Sequence, residues 1–162
     1  MKNIITVKDK EHLKELIKDE INLHGDKCDL NHLDVSNVTN MKAMFYNSKF
    51  NGVLSKWDVS KVTDMNWMFH ESKFNGELSK WDVSNVKNMD WMFYASKFKD
   101  DLSDWLPYKL EDKIYMFDKC SAPTPYWYTA EDTKKAIESY QLKNKLEDKL
   151  SDIKKNVKKI KI

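Results

Sequence analysis

Three residues that commonly bind zinc, His24, Cys28 and His32, fall four positions apart. On one helix that spacing would bring two imidazoles and a thiolate around a single ion. Here they straddle an expected helix end and strand, and Cys28 takes a place held by glycine in the segments that follow. The spacing therefore argues for a tight corner, and no metal or other cofactor is expected. The chain contains no phosphate-binding loop, nucleophile elbow, HExxH or paired catalytic carboxylates. It reads as non-enzymatic, which leaves contact chemistry. Asp34, Asp58 and Asp82 share one phase of a repeat, so at strand spacing they would form a column about 5 Å apart on a concave face. Stacked like charges repel. Hydrogen bonds from neighbouring amides or serines would offset this, and a bound cation or basic partner is the alternative. On a helical turn, Trp67 and Trp91 would point about 160° away from the Met65/Phe69 side. With Ala43 and Tyr115 they would make an outward row of the residue types found in interface hot spots. The competing reading lays them flat between neighbouring units or under a C-terminal helix.

A repeat must position all of these residues. Phe50, Phe74 and Phe98 are each 24 residues apart, and the same offset superimposes whole segments. FNGVLSKWDVSKVTDMNWMFHESK is followed directly by FNGELSKWDVSNVKNMDWMFYASK, with degenerate units before and after, giving four units over residues 26–121. Leu54, Trp57 and Val59 recur as Leu78, Trp81 and Val83, a pattern ending in the alternation of a short strand. Val62, Met65, Met68 and Phe69 then fit one face of a helical turn. Ser36, Ser60 and Ser84 stand where they would cap that turn, and Asn51-Gly52 and Asn75-Gly76 suggest a positive φ at each corner. Trp57, Trp81 and Trp105 should be buried in file.

These motifs, W-D-V-S-x-V followed by M-x-x-M-F in register, closely resemble the BspA-like leucine-rich repeats over residues 26–121. The resemblance implies an α/β repeat solenoid, a short right-handed leucine-rich-repeat coil. It also implies a protein-binding role, since the family is known mainly from bacterial surface proteins that bind host proteins. In the fourth unit Leu106-Pro107 replaces Asp-Val, and a proline that cannot donate to a ladder belongs at an edge.

The flanks complete a three-part organisation. Residues 1–25 carry Leu13, Leu16, Ile17 and Ile21 on one helical face, with Leu23 at its margin, as a capping helix would. In residues 122–162, Tyr126-Trp127-Tyr128 can cover the last unit, and Thr129-Ala130-Glu131-Asp132 resembles the start of a long helix. That helix places Leu146, Leu150, Ile153, Val157 and Ile160 at intervals of 4, 3, 4 and 3, the rhythm of a coiled-coil seam. Self-association as a homodimer is the expectation.

With 28 basic and 26 acidic residues the net charge is only +2, so nothing in the global charge favours nucleic acid or anionic lipid. The lysine-rich tail leaves either open as a secondary reading. Met1 to Leu13 contains no apolar export segment, no membrane span is evident, and a cytoplasmic location is expected. Cys28 and Cys120 are expected as thiols at opposite ends of the fold. The function expected is a scaffold acting by surface contact with another protein. A small inhibitor of a bacterial enzyme or defence complex, of phage or mobile-element type, is the more specific alternative.

Overall fold

The computed structural model describes residues 3–160, with side chains of the last helix described as far as Lys155. A first strand, β1 (Ile5–Thr6), leads into helix α1 (Lys10–His24). Asp9 caps α1, its carboxylate accepting the His12 amide at 2.9 Å. Gly25 ends it at φ 81°, a left-handed geometry that glycine adopts without cost, its N–H donating to the Ile21 carbonyl at 2.8 Å. Leu13 and Ile17 are buried, Leu16 and Ile21 are half-buried, and Leu23 is left in solvent. Strand β2 (Leu33–Asp34) pairs in parallel with β1, Ile5 opposite Leu33 and Thr6 opposite Asp34. Helices α2 (Tyr126–Thr129) and α3 (Thr133–Ile160) close the chain.

The leucine-rich-repeat solenoid of mixed strand and helix is therefore overturned. Among the described residues the two strands have two residues each and all three helices lie outside residues 26–121; the expected strand at Trp57–Val59 is irregular backbone, and the expected helical half at Val62–Phe69 is irregular as far as Met65 and turn after it. Hydrogen bonding supplies the reason. In the second unit the amides of Met65, Trp67, Phe69 and Glu71 donate to the carbonyls of Asn88, Asp90, Met92 and Tyr94 of the third, at 2.8 to 2.9 Å. The amides between them, on Met68, His70 and Ser72, donate back three residues to Met65, Trp67 and Phe69, at 3.1 to 3.2 Å. A helix would consume every amide within its own segment. Here alternate amides are committed to the neighbouring unit, and the backbone passes through left-handed φ at every fourth residue, Ala43 and Asn47, Trp67 and Glu71, Trp91 and Ala95, Tyr115 and Lys119.

The apolar period is nonetheless a core period. Leu54, Trp57, Val59, Val62, Met65, Met68 and Phe69 are buried, as are Leu78 to Phe93 at the same phases. Trp57 and Trp81 stack with ring centres 6.5 Å apart, and Phe45, Phe69 and Phe93 form a second stack at 5.4 and 5.5 Å. Each buried indole needs an acceptor. The Nε1 groups of Trp57, Trp81 and Trp105 donate to the carbonyls of Leu30, Leu54 and Leu78, each 27 residues earlier. Trp127 of α2 continues the series by donating to Leu102 at 3.0 Å, so the cap supplies the indole that a following unit would have carried.

Three sequence expectations about local geometry are corrected. Gly52 and Gly76 do not have positive φ; they are glycines for want of space. A Cβ at Gly52 would collide with the Cys28 carbonyl oxygen and stand 2.7 Å from the Phe50 ring, and one at Gly76 would stand 2.7 Å from Phe74. Ser36, Ser60 and Ser84 do not cap helices either. Their amides donate to the carboxylates of Asp34, Asp58 and Asp82, so the aspartate organises the turn. The start of the long helix also shifts: Tyr126 already begins α2, Ala130 breaks it, and Asp132 caps α3 by accepting the Lys135 amide at 2.9 Å.

The last unit places Lys113 where the earlier ones bury Met41, Met65 and Met89. Its ammonium donates to the carbonyls of Trp127 and Ala130 at 3.2 and 2.6 Å and to the Thr133 hydroxyl at 2.7 Å, fastening the α2–α3 junction to the final unit. Burial pulls its pKa below the ordinary lysine value, and Asp132 opposes that pull. Cys28 and Cys120 are thiols, in the first and last units.

Polar columns on the units alternate in charge. Asn40, Asp64, Asn88 and Asp112 are joined in parallel bridges, with amide-to-carboxylate contacts of 3.4 Å from Asn40 to Asp64 and from Asn88 to Asp112. Asn37, Lys61, Asn85 and Lys109 alternate likewise, Lys61 donating to Asn37 at 3.4 Å and Lys109 to Asn85 at 2.6 Å. Neighbouring like charges are thereby avoided on both columns.

Candidate functional site

The left-handed residues build the principal surface feature. At Trp67, Trp91 and Tyr115 the φ angles are 58°, 57° and 52°, a region where a non-glycine residue is disfavoured by about 1 to 2 kcal/mol. The N–H groups of Trp67 and Trp91 remain tied to the next unit, donating to the carbonyls of Asp90 and Ile114, which holds the backbone there. Trp67 and Tyr115 are 41% and 49% exposed, Trp91 is half-buried between them, and Ala43 stands at the head of the same row.

Beside this row runs a second one that the sequence reading missed. Tyr46, His70 and Tyr94 stack face to face, with ring centres 5.0 Å apart at both steps. The two rows interlock: Tyr46 lies 6.1 Å from Trp67, His70 5.9 and 6.1 Å from Trp67 and Trp91, and Trp91 4.8 and 4.6 Å from Tyr94 and Tyr115. The result is one strip of aromatic rings across all four units, with Lys42 over Trp67 at 5.9 Å and Lys119 over Tyr94 at 5.0 Å. The signal was in the sequence, since Tyr46, His70 and Tyr94 keep the 24-residue period three positions after Ala43, Trp67 and Trp91. It was masked because histidine between two tyrosines does not read as an aromatic column.

His70 is the ring of the strip whose ordinary pKa lies near neutral pH. Burial holds its pKa below the ordinary value of 6.5, against a smaller opposing pull from Glu71. A histidine depressed in the folded state is protonated more readily unfolded. Its contribution to stability is therefore complete above pH 6.5 and is lost as pH falls from there through the folded-state value. His70→Tyr, which extends the tyrosine column, should flatten the fall in melting temperature between about pH 7 and 5. An unchanged acid slope in thermal melts of this variant would locate the sensitivity elsewhere.

Asp34, Asp58 and Asp82 are offset locally. Hydrogen bonds from the Ser36 and Ser60 side chains and amides hold Asp34 and Asp58 below the usual carboxylate range. The Ser60 hydroxyl reaches Asp58 at 2.6 Å, and the Ser84 amide reaches Asp82 at 3.0 Å. His24 and His32 both turn to Glu20, at 3.8 and 3.1 Å, and among the described residues no three metal-ligating side chains converge. On α3, Leu146, Leu150 and Ile153 are 57%, 51% and 59% exposed; the side chains of Val157 and Ile160 lie outside the described residues. Among the described residues no helix is long and apolar enough to cross a membrane.

No curated protein and no solved structure matches the chain. One family model does, spanning residues 12–130, from within the first helix to just past the aromatic segment of the cap. That span covers well over half of the chain and contains every unit of the repeat together with the whole aromatic strip, so the chain belongs to the family described as Mycoplasma protein of unknown function, DUF285.

Proposed function

We propose that the chain is a non-enzymatic, protein-binding scaffold whose contact surface is the aromatic strip, centred on Trp67, Trp91 and Tyr115 and widened by Tyr46, His70 and Tyr94. One observation carries the reading: large aromatic residues occupy left-handed backbone positions that glycine or asparagine would fill at lower cost, and their rings remain partly in solvent. Core packing does not account for that choice, whereas interface hot spots are made of such residues. The resemblance of the units to BspA-like repeats points the same way, toward protein ligands. Small size and an unbranched binding face also suit an inhibitor that occludes a bacterial enzyme or defence complex from within the cytoplasm, the more specific form of the proposal. The aspartates at 34, 58 and 82, engaged with their own serines, are secondary to the strip.

The test is the double variant Trp67→Ser/Trp91→Ser. Affinity capture from host cells with the native chain should yield a protein that the variant fails to hold, while both melt at similar temperatures, because partly exposed residues contribute little to stability. If the variant unfolds, the row is core. If the captured material is nucleic acid, lost at moderate salt and on truncation after Gln141, the lysine-rich helix is the binding element instead.

A further inference from the structure

Beyond Gln141 the described side chains of α3, as far as Lys155, leave the rest of the chain. The Tyr126 and Tyr140 rings stack at 4.2 Å, and the Tyr108 hydroxyl donates to Gln141 Oε1 at 2.9 Å. From Leu142 to Lys155 every side chain is exposed. Leu142, Leu146, Leu150 and Ile153, all more than half exposed, form a ridge on one face, and shallow grooves run along it beside Glu147 and Lys154. A helical segment of this length without tertiary contacts is marginal in water.

We infer that this ridge is covered by the same ridge of a second copy of the chain, packed antiparallel. Leu146, Leu150 and Ile153 follow one another at intervals of four and three, the seam of a two-stranded coiled coil. Glu147 and Lys154, seven positions apart, flank the seam on one side, and Lys149 flanks it on the other. In a parallel pair, Lys149 would face Lys154 of the second copy, like against like. In an antiparallel pair with Leu150 opposite Ile153, Glu147 faces Lys154 of the second copy, and two-fold symmetry repeats the pairing. Glu147 is free to do so, since its contact within the helix is a 3.9 Å approach to Lys143 with both side chains in solvent. The flanking charges therefore complement a reversed copy of themselves. Such a dimer would carry two aromatic strips, one at each end.

Light scattering and sedimentation of the full chain should give a mass of about twice 19.3 kDa. Leu150→Asp, which sets a carboxylate in the seam and touches nothing in the rest of the chain, should weaken dimerisation by at least about a hundredfold. Lys154→Glu decides the orientation: it should weaken an antiparallel dimer by roughly tenfold and strengthen a parallel one. Glu147→Lys combined with Lys154→Glu should restore the native affinity. A mass of 19.3 kDa at all concentrations, or tighter association of Lys154→Glu, would overturn the inference. The mass does not depend on what the aromatic strip binds, so this result and the capture experiment fail or succeed separately.

Discussion

Trp81→Ala should lower stability by about 3 to 5 kcal/mol, the range for removing a large aromatic from a packed core. Trp81 is 4% exposed, stacks on Trp57 at 6.5 Å, lies 6.4 Å from Phe69, and donates its indole N–H to the Leu54 carbonyl. Removing it leaves a void that neighbours on both sides cannot fill, because each is pinned by its own stack. The Leu54 carbonyl loses the indole but keeps the Trp57 amide at 3.2 Å, so the cost lies in the lost packing. For a chain of this size the melting temperature should fall by roughly 10 °C. A melt within a degree or two of the native one would mean that the tryptophan file does not hold the units together.

Gly52→Ala should be nearly as damaging although it adds one methyl group. The new Cβ would collide with the Cys28 carbonyl oxygen and press on the Phe50 ring. That carbonyl accepts the Val53 amide at 3.1 Å, so its withdrawal would loosen the link between the first and second units. Overpacking of this kind costs about 1 to 3 kcal/mol, and a clash against backbone belongs at or above the upper end. Gly76→Ala is the internal control. Its nearest backbone atom, the Gly52 carbonyl oxygen, is 3.3 Å away and its tightest contact is the Phe74 ring, so it should cost clearly less. Equal melting temperatures for the two variants would remove the distinction between backbone and side-chain crowding.

Which residues are inside was legible in the sequence, because the 24-residue period of Leu, Trp, Val, Met and Phe reports burial whatever the backbone does. The backbone itself was not. Val62, Met65, Met68 and Phe69 satisfy a helical face, yet the same spacing arises from consecutive turns whose alternate amides bond to the next unit. Nothing in the residue types betrays the left-handed φ at Ala43, Trp67, Trp91 and Tyr115, since none is glycine or asparagine. The outward direction assigned to Trp67 thus came from a helical geometry that the chain does not adopt. Gly52 misled in the opposite sense: Asn-Gly suggests a dihedral requirement, and the real one is contact with a residue 24 positions earlier, which no local motif encodes. The β1–β2 pairing escaped for a related reason, since Ile5-Thr6 is too short to be distinguished before its partner strand is known. Lys113 escaped too, as one lysine among many until the cap above it supplies two carbonyls and a hydroxyl.

The alternating columns of asparagine with aspartate and of asparagine with lysine bear on how such a chain can lengthen. Side by side, Asp64 and Asp112 would repel, as would Lys61 and Lys109; each is insulated by an asparagine at 88 or 85. Duplicating one unit in place would set two aspartates or two lysines, or two asparagines, next to each other, whereas duplicating an adjacent pair reproduces every existing neighbour. The packing repeat is 24 residues, but on these two columns the charge repeat is two units long. Relatives that gain or lose units in pairs should therefore tolerate the change without further substitution, and those that differ by one should carry a compensating exchange at the phases of Asn85 and Asn88.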